Sequence, residues 1–345
     1  MPEGLFAPVQ IGRRQYPYLI AALCGAGTYF LVAELGLALA SLNKSVSPVW
    51  PASGLAVALL ATFGRRFWPA ILIGAWLANS LISGPMPAAA IALGNTLEAV
   101  IAGEILVRLQ RRRTDSFLMA RTVGYVLAAL IAPTVSAAVG TTVLQATGTT
   151  GQGNLSGIWL TWWAGDAMGI LIVTPALLSF VSSPRDIVAP SPRSQLILRA
   201  AGLLFLLVVA FWLSATSMAL SAAIFLIFIV ALFAARWFGT RGGAWMALLI
   251  ATLFLTQTAL GAGAVGSQPM NDRLLDAQIF IGALAFSSLV FSDLRRLNLH
   301  WASWIFCAGG ALAAIVFSLS NHIEQELAGE RFAKVAEAAT NSIRT

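Results

Sequence analysis

What this sequence lacks most is charge. Of its 345 residues only 10% are Asp, Glu, Lys or Arg, against about 25% in a typical soluble domain. Hydrophobic residues make up 58% and the mean hydropathy is +0.82. A chain so depleted cannot cover a globular surface with polar groups, so its solvent is largely lipid. Cysteine is nearly absent. Cys24 and Cys307 each lie in an apolar stretch without CxxC spacing or a neighbouring His, so zinc and haem motifs are missing and both read as small buried hydrophobes. The two histidines, His300 and His322, fall near the predicted ends of the last apolar segment. No P-loop, GxSxG or HExxH occurs, and nothing in these residues points to an enzyme or to a cofactor. The alternation of apolar and polar positions over about ten residues that marks a membrane barrel strand is also missing.

What is present is a series of eleven apolar segments, the first at Pro17–Leu42 and the last at Leu299–Leu319. The expected fold is therefore all-α: a polytopic transmembrane helical bundle of about eleven spans, some short or kinked. Pro133 falls inside the fifth segment, Ser116–Ala146, where a missing N–H is expected to bend the helix. The first run contains Glu34 and is too long for a signal peptide, so it reads as a retained helix.

Lys and Arg follow the segments. With the N-terminus cytoplasmic, 16 of the 21 fall in inside loops or at their edges, two (Lys44 and Arg273) fall outside, and three lie in the C-terminal tail. Such a bias sets orientation, and it accounts for the net charge of +7 without any nucleic-acid partner. An odd span count places the tail outside. Residues 321–345 turn polar with a helical pattern, and read as the first element of a larger extracytoplasmic domain in a longer chain.

Polar residues inside the apolar segments are concentrated in the first half. Glu34, Asn79, Asn95, Glu98 and Asp166 all lie there, where ionisable groups are costly and usually face a bundle interior or a wet cavity. Asn95 and Glu98, three apart, share a helix face, and Trp159, Trp162, Trp163 and Asp166 cluster on one side of the sixth segment. No Lys or Arg lies at the depth of Glu98 and Asp166. The pair must hold a proton, bind a cation or donor-rich ligand, or serve as hydrogen-bonded glue between helices. Asn79, near a helix end, reads as structural, as does Glu104, four residues before Arg108.

Two motifs add to this. In SVSPVWPASGL (Ser45–Leu55) the prolines favour an extended lead-in through Trp50, with a helix starting near Pro51 or Ala52. The apolar run to Phe63 is then about 18 Å long, well short of a hydrocarbon core of about 30 Å. Such a helix is either broken inside the protein, with Ser53 and Gly54 in its first turn, or a tilted edge helix anchored by Trp50. In WWAGDAMG, Gly165 and Gly169 form a GxxxG around Asp166, which suits a close helix crossing with a polar group at the contact.

The strings VWPASGLAVALL (49–60), RRFWPAILIGAWLAN (65–79), GNTLEA (94–99), WLTWWAGDAMGILIVTPALL (159–178), FGTRGGAWMALLIA (238–251) and AQIFIGALA (277–285) together resemble the first class of bacterial membrane-associated sensor (MASE) domains, over about residues 18–296. The tail GERFAKVAEAATNSIRT resembles the opening of CHASE domains. The resemblance implies a cytoplasmic N-terminus (1–17), a sensor domain in the bacterial inner membrane (18–296), a last transmembrane helix (297–320) and the start of an extracytoplasmic module (321–345). It also implies output domains outside this chain, of histidine kinase or cyclic-di-GMP type. Candidate sensing residues are Trp50, Pro51, Ser53, Gly54, Asn95, Glu98, Trp162, Trp163, Gly165 and Asp166, with Glu34 and Asn79 secondary. The expected partners are the lipid bilayer, a bound lipid or small ligand of unknown identity, and other copies or proteins joined through the outputs or the membrane. A secondary transporter and a membrane scaffold are the alternatives.

Overall fold

The computed structural model describes residues 15–41, 49–111, 120–148, 155–181, 192–215, 220–259 and 270–296, all helix, turn or short connection. The last predicted segment, the tail and Cys307 lie outside the described residues. The helices are α1 (Gln15–Ser41), α2 (Pro51–Phe63), α3 (Trp68–Ser83), α4 (Pro85–Arg111), α5 (Ala120–Ile131), α6 (Pro133–Ala146), α7 (Leu155–Val181), α8 (Arg193–Ala215), α9 (Leu220–Ala259) and α10 (Met270–Arg296). Among the described residues, six stretches are long and apolar enough to cross a membrane: Tyr18–Leu37, Pro85–Leu109, Ala120–Ala146, Leu155–Val181, Arg193–Ser214 and Ala223–Gln257. The chain is thus an all-helical, multi-pass membrane protein.

Proline and glycine set the breaks. Pro133 ends α5 and opens α6, because it has no N–H for the helical ladder, and Thr134 Oγ1 donates to the Ile131 carbonyl at 2.6 Å. Gly239 (φ 69°, ψ −160°) interrupts α9. A Cβ at Gly242 would fall 2.6 Å from the carbonyl oxygen of Ala234, eight residues earlier. Eight residues of straight helix rise about 12 Å, so the two halves of α9 fold back on one another. The predicted segments eight and nine are therefore present as two arms. The nine residues between them, 234–242, read as a loop but are helical apart from Gly239, because one glycine at positive φ makes the turn.

The core centres on α2 and α7. Every residue of α2 from Ala52 to Ala58 is buried, and so is most of α7 from Gly165 to Ser179. Around them pack α1, α3, α4, α5 and α6, while a second apolar core joins α8 and α9, with Leu284 contributed by α10. Outward faces are as apolar as the interior: Leu19, Leu23 and Leu31 on α1 are exposed, as are Ile197, Leu198, Phe205 and Trp212 on α8. In lipid such faces carry no penalty. This corrects the reading of Cys24, which is exposed rather than buried: an apolar segment in a bilayer does not have to turn its small hydrophobes inward.

Candidate functional site

Backbone geometry fixes the start of α2 against α7. Trp50 is extended (φ −103°, ψ 91°) and Pro51 takes the first helical turn, where its missing N–H costs nothing. The Trp50 N–H donates to the Gly165 carbonyl at 2.8 Å, and Thr174 Oγ1 donates to the Gly54 carbonyl at 3.0 Å. A Cβ on Gly54 would strike the Gly169 carbonyl oxygen, and one on Gly169 would strike that of Trp50. Two glycines facing each other allow this backbone contact, so the helix break predicted from SVSPVWPASGL lies inside the protein, where extended backbone is tolerated.

That contact places Ser53, in the first turn of α2, beside Asp166 of α7. Ser53 Oγ donates to Asp166 Oδ1 at 2.8 Å. Ser136 of α6 faces the other carboxyl oxygen: its Oγ lies 3.0 Å from Asp166 Oδ2 and 2.9 Å from Asn95 Oδ1, and accepts from Trp162 Nε1 at 3.1 Å. A hydroxyl has one proton and serves one of these acceptors at a time. Turning the Asn95 amide over, so that it donates to Ser136, satisfies both. Asn95 also lies 3.4 Å from the hydroxyl of Tyr29, which is wholly buried on α1 and is reached by the Trp50 side chain as well.

Glu98 completes the group. It projects from the same face of α4 as Asn95, is 1% exposed, and lies against Asp166, Ser136 and Ser53. Both hydroxyls are directed at Asp166, and neither Glu98 oxygen has a hydrogen-bond partner. No Lys, Arg or His among the described residues pairs with either carboxyl. The result is an acceptor-rich cluster of side chains from α1, α2, α4, α6 and α7.

The other sequence candidates fall outside it. Trp163 donates to the Leu130 carbonyl at 3.1 Å and stacks on Trp159. Asn79 donates to Ala75 of its own helix at 2.8 Å. Glu34 has one buried oxygen without a partner and takes no part in the hydrogen bonds around Asp166. Glu104 pairs with Arg108 at 2.7 Å, as its spacing predicts, and also with Arg65 at 3.5 Å. Sequence reasoning passes over Ser136 and Tyr29. A serine three residues after the Pro133 break is a usable sign; Tyr29 offers none. It also passes over a second polar centre. Arg121 on α5, counted above as a loop charge, pairs with Asp293 of α10 at 3.0 Å and donates to Thr240 of α9 at 2.9 Å. Thr122 donates to the same carboxyl through its N–H at 3.2 Å and its hydroxyl at 2.6 Å. Among the described residues no group of three or more His, Cys, Asp or Glu is gathered as a metal site.

A multi-pass helical bundle closed around a buried polar centre defines an integral membrane domain. The family model MASE1 matches residues 21–297, and the chain belongs to that family of membrane sensory domains. No curated protein and no solved structure matches the chain.

Proposed function

We propose that the chain is the sensory input domain of a bacterial signalling protein in the inner membrane, with about eleven spans and a cytoplasmic N-terminus. The cluster of Ser53, Asn95, Glu98, Ser136 and Asp166 is its sensing element, and kinase or cyclic-di-GMP output domains lie outside this sequence. One observation carries the reading: four helices are joined through a polar group in which a fully buried carboxyl, Glu98, has no partner. Structural glue requires satisfied polar groups, since each orphaned one costs about 1–3 kcal/mol. An occupant that meets Glu98 in one packing of the helices and not in another shifts the balance between the two.

The test uses the full-length protein, with output activity measured for Glu98→Gln and Asp166→Asn at matched membrane levels. Output locked on or off supports the proposal. Wild-type regulation in both variants, with normal insertion, refutes it and leaves the cluster as packing. Labelling of single cysteines placed at Arg113 and Gly151 reads the orientation: Arg113→Cys is expected to react only from the cytoplasm and Gly151→Cys only from outside.

A further inference from the structure

The unpartnered oxygens of Glu98 say what the occupant is. We infer that the cluster binds one small dehydrated monovalent cation of the sodium class, held between Glu98 and Asp166. The inference rests on reading this cluster as the sensing element, and it supplies the chemistry of what is sensed.

The argument is an inventory of donors and acceptors. The donors that reach the cluster are the hydroxyls of Ser53 and Ser136, the Asn95 amide and the Trp162 indole, and each is directed at Asp166, Asn95, Ser136 or Tyr29. None serves Glu98. What remains is two carboxyl groups and the Ser53 hydroxyl oxygen, all hard oxygen ligands with free lone pairs. Glu98 is 1% and Asp166 2% exposed. Two facing carboxyls among acceptors are completed by a cation, which takes the place of the proton that such a pair otherwise shares.

Size and charge narrow the class. Mg²⁺ holds several of its waters and Ca²⁺ takes six to eight oxygens, more than two carboxyl groups and one hydroxyl supply. Thiolate and imidazole ligands, which select transition metals, are absent from the cluster. A bare monovalent ion needs only the oxygens present. It leaves part of the negative charge on Asp166, which faces the first turn of α2 through Ser53, where the helix dipole supplies about half a positive charge.

The purified 345-residue chain in lipid nanodiscs provides the test. Thermal unfolding is followed as NaCl replaces choline chloride at constant ionic strength. Sodium is expected to raise Tm saturably by several degrees, because a ligand that binds only the folded state stabilises it by mass action. Glu98→Gln is expected to lose that increment. Equilibrium binding of radioactive sodium to the wild-type chain, near one ion per chain and displaced by unlabelled NaCl, is an independent readout if the variant fails to fold. A wild-type Tm indifferent to sodium, together with no displaceable binding, overturns the inference. Sodium binding with wild-type signalling in the full-length Glu98→Gln protein would refute the sensing role alone; altered signalling with no sodium binding would refute the cation alone.

Discussion

Arg121 and Asp293, 172 residues apart in sequence, meet at 3.0 Å with only 11% and 4% of their side chains exposed. The pair ties the start of α5 to the end of α10, and Thr240, next to the Gly239 turn, joins it. Breaking a buried pair by removing one partner leaves an uncompensated charge and costs about 3–5 kcal/mol. Arg121→Met alone is therefore expected to destabilise the domain strongly. Arg121→Met with Asp293→Leu is expected to cost less than the sum of the single changes. A double-mutant cycle on thermal unfolding in detergent measures the difference, and simple additivity would show that the two side chains act independently.

The crossing of α2 and α7 makes a steric prediction. Gly169→Ala puts a methyl group on the carbonyl oxygen of Trp50 and is expected to abolish folded protein in size-exclusion profiles. Gly202→Ala on α8, where nothing lies within 4 Å, is expected to leave the profile unchanged. Equal behaviour of the two variants would mean that α2 does not lie on Gly169.

Ser136 joins three partners with one hydroxyl. Ser136→Ala removes a donor to Asp166 and an acceptor for the Trp162 indole. Side-chain hydrogen bonds between membrane helices average about 0.6 kcal/mol and reach about 1.7, and the loss here is expected near the upper end. Trp162→Phe, which removes the N–H and leaves a smaller ring, is expected to cost about half as much. Unfolding in mixed micelles ranks the two, and the reverse order would place the weight on the ring rather than on the hydroxyl.

Gly239 holds a positive φ at the fold of α9. Gly239→Ala is expected to cost about 1–3 kcal/mol, because a positive φ combined with an extended ψ is open essentially to glycine alone. Matching Tm values for the alanine variant and the wild type would rule out that backbone conformation.

Much of this architecture is legible in the sequence because membrane helices announce themselves by length and hydropathy. The same holds for the break at Pro133 and for the helix start at Pro51, where proline chemistry is local. The GxxxG around Asp166 and the unusual depth of Glu98 point to the right helices. Their adjacency is not legible, because depth fixes one coordinate and the angle around each helix axis is set by packing partners elsewhere in the chain. Ser136 is hidden for the same reason, since a serine in a helix usually bonds back to its own backbone. Arg121 is hidden by the charge count itself, which treats every arginine at a segment edge as solvent-facing.

The shortness of α2 bears on how the protein is made. Its 13 residues span about 20 Å, too little to settle alone across a bilayer core of about 30 Å. Thr174, whose hydroxyl donates to the Gly54 carbonyl, follows Gly54 by 120 residues. At about 5–20 residues per second of synthesis, α2 leaves the ribosome roughly 6–24 s before the helix that completes its surroundings. The nascent chain must shelter this segment during that interval, beside the insertion machinery or at the membrane surface, so biogenesis of the first half waits for α7.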